Sequence, residues 1–488
     1  MSRFLGGRIT AKKLFILGIA VAVFLLVAYL PMDQNLLVVG DAALTSVGRL
    51  TLGILFFALI LWMTEAIPFH ITGMFCIVMM SLLNIGDYKE IVKIGFGSDI
   101  VTFFIGVLVL SAAITKSGLS KRISVFILSK TGNNTNMIIL GFLVAGMLLS
   151  MWVTDMAVAA MLLPLAKSIL DEEGVEPLKS NFGRALMISC VWGPLIGGIA
   201  TPAGCGPNTI AIGFIRDMAG YNISFLEWMK YGVPCALTLI VPAWLILIRI
   251  FKPEIKTLHR TKEEIKEDIK KLPPMEKNER STIIIFVLTV ILWLSSDVIS
   301  KWLGISVPIA LPALLASTLF FFPGVTDFKW KDIGSEISWS GIILIATGLS
   351  LGMMIYNTGV ASWMSNLLLG GIINLHPILL VFMVVLIVSI LKIAFSSNTV
   401  CATVIIPLMV ALALNHNVPV LPIVIPASLT LSLAFILVTS SPTNVIPYSA
   451  GFFTISDFAK SGLVMTAVYS VILALLIFGI GSLSGLFG

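Results

Sequence analysis

Charge is scarce in this chain. Asp, Glu, Lys and Arg make up 11% of its 488 residues, against about a quarter in soluble globular proteins, which excludes a water-soluble globule. Cysteine and histidine are also sparse. Cys76, Cys190, Cys205, Cys235 and Cys401 sit in or beside apolar segments without paired spacing, and His70, His259, His376 and His416 do not cluster. A disulfide framework and a His/Cys metal centre are thereby disfavoured, and the cysteines read as packing thiols. Neither His-Glu-x-x-His nor Gly-x-Ser-Gly occurs, which argues against an intramembrane enzyme.

What is abundant is apolar sequence, 58% of the chain. Runs such as Leu14–Leu30, Thr51–Met63 with its flanks, Ile283–Leu294 with its flanks and Gly462–Ile480 approach the roughly 20 residues that cross a bilayer. They lack the alternation of an outer-membrane barrel. The expectation is an all-α polytopic membrane protein. Arg3, Arg8, Lys12 and Lys13 precede an apolar run with no small-residue cleavage site, which reads as a retained first span.

Spans and breaks predict eleven crossings, near 12–30, 46–64, 68–85, 99–118, 183–215, 228–250, 282–302, 306–323, 339–363, 422–450 and 462–486, with re-entrant hairpins near 137–167 and 378–413. The basic segments are the N-terminal arm, Ser120–Asn136 (Lys121, Arg122, Lys130) and the linker Arg249–Ser281, with ten Lys/Arg against seven Asp/Glu. With this count all three face the cytoplasm, which places the N-terminus inside and the C-terminus outside a cell membrane. The net charge of +6 is therefore a topology signal, and no nucleic-acid partner is expected. The linker's Lys262–Lys271 run reads as a solvated amphipathic helix.

Two polar knots stand ten residues before a proline. One is Ser150–Asp155 before Pro164, the other Phe395–Thr399 before Pro407. Two further pairs keep the same order: Lys116-Ser-Gly118 with Asn357-Thr-Gly359, and Thr201–Asn208 with Thr439–Asn444. The order describes one repeat of five crossings plus a hairpin, an odd number, so the second copy must be inverted. The expected division is 1–45 as arm and first span, 46–250 as the first repeat, 251–281 as the linker and 282–488 as the second repeat. Pro and Gly in Thr201–Asn208, and Pro and Ser in Thr439–Asn444, break helices at membrane depth, where freed backbone groups must line protein or a cavity. Helix N-termini there suit a carboxylate, and freed carbonyls with Ser, Thr and Asn oxygens suit Na⁺. Inverted repeats with broken helices argue for alternating access and against a channel.

With Thr64-Glu-Ala-Ile-Pro68, Ser397-Asn398-Thr399, Pro207-Asn208 and Thr443-Asn444, the chain resembles, over nearly its whole length, the divalent-anion/sodium symporter family. Those proteins carry succinate, malate, fumarate, 2-oxoglutarate and citrate. The resemblance implies a homodimer whose mobile transport domain carries the site past a scaffold domain in an elevator movement. The scaffold would comprise 46–118 and 282–363. The transport parts would hold the hairpins 137–167 and 378–413 and the broken helices 183–215 and 422–450.

Carried over by residue, Ser397, Asn398 and Thr399 would receive one substrate carboxylate, with Ser441 and Pro442 at the matching place in the second broken helix. Cys205-Gly206-Pro207-Asn208 is a partial match in the first. Thr154-Asp155-Met156 stands where the family has Ser-Asn-Thr. Ser150, Thr154, Asp155 and the Gly204 backbone would form a first sodium site, and Asn398 with the backbone near Ser396 and Ser440 a second. No cofactor is expected beyond Na⁺ as a coupling ion.

An aspartate in place of asparagine sets an anion beside a dianionic substrate, which calls for compensation. Lys392, five residues before Ser397, is an ionisable group at membrane depth. One reading has it snorkel to an interface. The other makes it a tethered cation replacing Na⁺, with Asp155 as partner, in an exchanger. Asp155 otherwise strengthens sodium binding or serves as a proton-coupling group. A cation/proton antiporter or arsenite-type permease, with Asp155 and Lys392 as relay, remains the rival from a neighbouring class.

Overall fold

The computed structural model describes residues 2–33, 37–259 and 273–485. Apart from one small hairpin, β1 (Val38–Val39) with β2 (Ala42–Ala43), its regular structure is helical. The central part of the linker, where an amphipathic helix was expected, lies outside the described residues.

The first half runs α1 (Ser2–Tyr29), α2 (Ser46–Thr64), α3 (Phe69–Leu82), α4 (Tyr88–Phe96), α5 (Asp99–Lys116), α6 (Leu119–Leu128), α7 (Thr135–Ser150), α8 (Asp155–Glu172), α9 (Asn181–Gly198), α10 (Gly206–Ala219) and α11 (Phe225–Ile250). The second runs α12 (Lys277–Leu303), α13 (Ala310–Leu319), α14 (Trp330–Gly334), α15 (Trp339–Asn357), α16 (Val360–Leu369), α17 (Pro377–Lys392), α18 (Asn398–Asn415), α19 (Leu421–Ser432), α20 (Pro442–Tyr448) and α21 (Ile455–Leu483).

From α5 onward the two series match closely. Both α5 and α15 stop before a glycine in the left-handed region, Gly118 (φ 82°) and Gly359 (φ 77°), a backbone state that carries a steric cost for residues with a Cβ. Each glycine starts a ten-residue helix, α6 or α16. Then α7 and α17 each have 16 residues, and α8 and α18 each have 18. Pro164 and Pro407 hold the same place in the last two.

Eight helical stretches among the described residues are long and apolar enough to cross a membrane. The segments expected to cross at 68–85 and 306–323 contain helices of 14 and 10 residues. At 1.5 Å per residue these are about 21 and 15 Å long, short of the roughly 30 Å core. The apolar residues that extended them in the sequence, such as Phe320–Phe322, lie beyond the helix end.

The most deeply buried helices are α9, α18 and α19; nearly all of α9 and α19 is enclosed. The hairpin α7–α8 packs on α9, α8 lies against α20, and α18 lies against both α10 and α19. Residues 252–259 form a strap across the far end of the first hairpin. Thr257 bridges to Asn134, Leu258 N–H donates to Asn133 O at 2.8 Å, and Thr135 Oγ1 donates to Ile255 O at 2.6 Å. The Glu254 carboxylate caps the start of α9, accepting from Ser180 Oγ and from the Asn181 and Phe182 N–H groups. Desolvation pushes the Glu254 carboxyl up, but these hydrogen bonds outweigh it and hold the group below its ordinary range.

Candidate functional site

The site is assembled from two hairpin tips and two helix breaks. The first tip is the four-residue turn 151–154 between α7 and α8. Asp155, the first residue of α8, is buried and accepts from Ser150 Oγ at 2.5 Å. Its carboxylate rests on the backbone of Gly198, where an added Cβ would collide with it. Glycine is required there by close approach. Thr201 Oγ1 donates to Met151 O at 2.5 Å, tying the tip to the first break. Thr154 is half-buried and its N–H donates to Ser111 Oγ of α5 at 3.4 Å.

The breaks separate α9 from α10 and α19 from α20. A helix end leaves carbonyls without intrahelical donors, and each break repairs this in the same way. Asn208 Nδ2 donates to Gly198 O and Thr201 O, both at 2.8 Å. Asn444 Nδ2 donates to Ala434 O at 2.8 Å and Leu437 O at 3.0 Å. Each asparagine reaches ten and seven residues back. The Pro-Asn and Thr-Asn signals of the sequence are thus backbone clamps.

The second tip meets the first break. Thr399 packs on Gly206 so closely that a Cβ there would stand 2.7 Å from Thr399 Oγ1. Cys205 Sγ and Ser432 Oγ are 2.8 Å apart, and Ser428 Oγ donates to Pro207 O at 3.3 Å. Asn398 Nδ2 reaches Ser432 O at 3.5 Å. The hairpin of each half therefore faces the broken helix of the other.

Lys392 is 3% exposed, so it does not snorkel. Its ammonium donates to Leu431 O at the broken end of α19, where the helix dipole leaves partial negative charge. Asp155, Cys205 and Cys401 are within electrostatic reach of it. The direct Lys392–Asp155 pair expected on one reading is not formed; Asp155 bonds to Ser150 instead.

Ser397 and Ser441 accept from the N–H groups of Val400 (3.4 Å) and Thr443 (3.3 Å), capping α18 and α20. The starts of α8 and α10 have no side-chain cap, which leaves first-turn N–H groups without a capping acceptor. Cys205, the cap residue of α10, turns its thiol to Ser432 instead. Ser440 is buried, Pro442 and Met156 are exposed, and Gly204 packs on the Gly198 backbone.

Of six buried side-chain oxygens without a partner among the described residues, four belong to the tips and breaks: Asn208 Oδ1, Asn398 Oδ1, Asn444 Oδ1 and Ser396 Oγ. Such hard neutral donors beside broken helices fit the chemistry of Na⁺. No group of three or more His, Cys, Asp or Glu side chains able to hold a metal occurs among the described residues. Ser432, Ser428, Ser111 and Gly198 did not stand out in the sequence, because small residues are common in apolar helices and none of these belongs to a motif.

A profile of the family described as "sodium:sulfate symporter transmembrane region" matches residues 11–483. The chain is 28% identical over 433 residues to the sodium-dependent dicarboxylate transporter SdcS of Staphylococcus saprophyticus, covering 86% of this chain and 83% of that protein. It is 28% identical over 435 residues to the SdcS of Staphylococcus aureus, with the same coverage. Among solved structures it is similar to the YdaH transporter of Alcanivorax borkumensis, with TM-score 0.57 and 13% identity over 82% of this chain and 89% of that one. It is also similar to MtrF of Neisseria gonorrhoeae, with TM-score 0.57 and 12% identity over 96% of this chain and 94% of that one. Those two likenesses concern the fold alone.

Proposed function

This multi-pass membrane protein belongs to the sodium:sulfate symporter family, and from that premise we propose that it is a secondary active transporter of C4–C6 dicarboxylates, the succinate, malate, fumarate and 2-oxoglutarate class. The substrate class is supported by the dicarboxylate transport that the SdcS relatives are named for. It is supported further by the uncapped N-termini of α8, at the first tip, and α10, at the first break, which suit carboxylates. Asn398, Thr399 and the start of α10 would receive one carboxylate; Thr154 and the start of α8 would receive the other. The paired series of helices supports two inverted repeats. The moving part would be α7–α10 with α17–α20, and it would slide against a scaffold of α2–α5 and α12–α15 in a homodimer, with the N-terminus cytoplasmic.

For coupling we infer dicarboxylate exchange. The observation that carries this is Lys392, a buried ammonium fixed on the Leu431 carbonyl at the end of a broken helix, where freed carbonyls otherwise recruit Na⁺. Moving an unpaired fixed charge through the membrane interior is costly; one substrate carboxylate would pair with the ammonium while the other is received by a helix N-terminus. The loaded site then crosses more readily than the empty one. Asp155 spends its hydrogen bond on Ser150 and leaves the ammonium to the substrate.

A second reading is sodium symport, favoured by the unpartnered oxygens of Asn398, Ser396, Asn208 and Asn444 and by the sodium dependence in the relatives' names. Reconstituted protein separates the two. Exchange predicts uptake of labelled succinate that requires internal dicarboxylate and persists without Na⁺. Obligate Na⁺ dependence with no need of internal substrate overturns exchange in favour of symport. Failure of purified protein to bind labelled succinate overturns the dicarboxylate class and turns attention to an antiporter or arsenite-type permease.

A further inference from the structure

Helix α10 carries the site at its start, with Cys205 as cap and Asn208 in its first turn, and carries a cation at its end. Arg216, in the last turn, pairs with Asp99, the first residue of α5. Its Nε donates to Asp217 Oδ1 at 2.8 Å and its Nη2 to Ser98 Oγ at 3.3 Å. The guanidinium side chain is 25% exposed, so these bonds are partly shielded from water. Charge-assisted bonds of this kind are the stronger class of hydrogen bond.

The two helices lie side by side. A Cβ on Gly213 of α10 would stand 3.3 Å from Ile100 of α5 and 3.2 Å from Leu349 of α15. Gly348 and Gly352 of α15 in turn take Thr403 of α18 and Phe214 of α10 at close range. The seam between α5 and α15 on one side and α10 and α18 on the other is therefore largely apolar and smooth. Two polar ties cross it at α5: Thr154 on Ser111, and the Arg216 cluster on Asp99 and Ser98.

We propose that Arg216, with Asp99, Ser98 and Asp217, is a releasable lock that holds the moving part against the scaffold in the arrangement described here. These residues then act as positioning residues that set the balance between the two ends of the transport cycle. This rests on the reading of α7–α10 and α17–α20 as the moving part. Sliding α10 along α5 must part Arg216 from Asp99, while the Arg216–Asp217 bond, internal to α10, travels with it and shields the cation once it is released.

The test measures the two populations directly. Lys93, in α4, and Asn222, just past α10, are both exposed. Spin labels on Lys93→Cys and Asn222→Cys, in membranes and diluted with unlabelled protein, report the distance across the seam by pulsed EPR. The five native cysteines are buried. Two distances are expected, with their ratio responding to succinate. Asp99→Asn and Arg216→Gln should each move the ratio by about tenfold away from the locked distance. Arg216→Lys should retain part of the lock, and the exchanged pair Asp99→Arg with Arg216→Asp should restore it. Two distances whose ratio stays unchanged in both single variants would overturn the lock and leave the moving part standing. An exchanged pair no better than the single variants would likewise overturn it. A single distance in the unmodified protein under every condition would overturn the moving part itself, and the lock with it.

Discussion

Lys392→Met takes the ammonium from the broken end of α19 and keeps an unbranched apolar chain of similar length. In the native protein that ammonium is 3% exposed and satisfies Leu431 O. Losing a hydrogen bond from a charged donor costs about 1.5–3 kcal/mol. Burying an unpaired ammonium itself costs several kcal/mol, and the variant is spared that. The two effects oppose each other, so stability should change by no more than about 2 kcal/mol and the protein should purify folded. Transport has no such offset. Removing one partner of a buried charge pair typically costs about 2–5 kcal/mol of binding, so affinity for a dicarboxylate should fall by about 30-fold or more. The assay is counterflow of labelled succinate into proteoliposomes loaded with unlabelled succinate, across a range of Na⁺ concentrations, beside a thermal unfolding scan. Restored uptake at high Na⁺ would be expected as well, because Leu431 O is freed near the unpartnered Ser396 and Asn398 oxygens. Folded Lys392→Met protein that exchanges succinate without Na⁺ at native rate and affinity would refute the tethered-cation reasoning.

Other expectations follow from the same geometry. Gly206→Ala places a methyl 2.7 Å from Thr399 Oγ1; by displacing the second tip it should raise KM for succinate several-fold while leaving the unfolding midpoint close to the parent's. Asn444→Ala removes the clamp on Ala434 O and Leu437 O, and should destabilise by about 1–3 kcal/mol for the carbonyls left unpaired; a melting temperature equal to the parent's would contradict the clamp. Cys205→Ser keeps a hydroxyl opposite Ser432 and should transport within a few-fold of the parent, whereas Cys205→Val should lose affinity in the same uptake assay. Glu254 has its pKa depressed in the folded protein by its hydrogen bonds, so the stability it lends the strap is fully present above the ordinary carboxylate value near about 4.3 and is lost as pH falls through the lower folded value. Protection at 254–258, taken relative to the intrinsic exchange rate at each pH, should therefore hold from neutral pH to about 5 and fall below about 4, and Glu254→Gln should abolish that fall.

The helical class, the break positions and the two tips were legible because each is a local signal. Pro and Gly inside apolar runs, and Ser, Asn or Asp before a helix start, act within a few residues of themselves. The β1–β2 hairpin also had a local signal, Gly40-Asp41 between short apolar pairs, but strands of two residues are too short for an alternating pattern. Lys392 on Leu431 was not legible, since 39 residues separate them and a backbone carbonyl has no sequence signature. Ser432 looked like any serine in an apolar helix, although Cys205 and Asn398 both converge on it. Helix length was misjudged at α3 and α13 because hydropathy counts apolar residues past the cap as part of the span. Ser397 and Ser441 also accept cap bonds in their own helices, a second role for the same residues that leaves each O–H as a donor.

The crossed arrangement, in which each hairpin faces the other half's broken helix, has a consequence for how the chain is made. Asp155 emerges from the ribosome about 290 residues before Asn444, an interval of about 15–60 s at ordinary synthesis rates. During it the first tip can pack on its own half's break, but Cys205, Gly206 and Pro207 still lack Ser432, Thr399 and Ser428 of the second half. A nascent first half must wait in the membrane with polar groups uncovered, held by the insertion machinery or by its own Ser150 and Asn208 contacts. Chains truncated before α18 should therefore be cleared quickly by membrane proteases, and the two halves expressed as separate polypeptides should each persist only when the other is present.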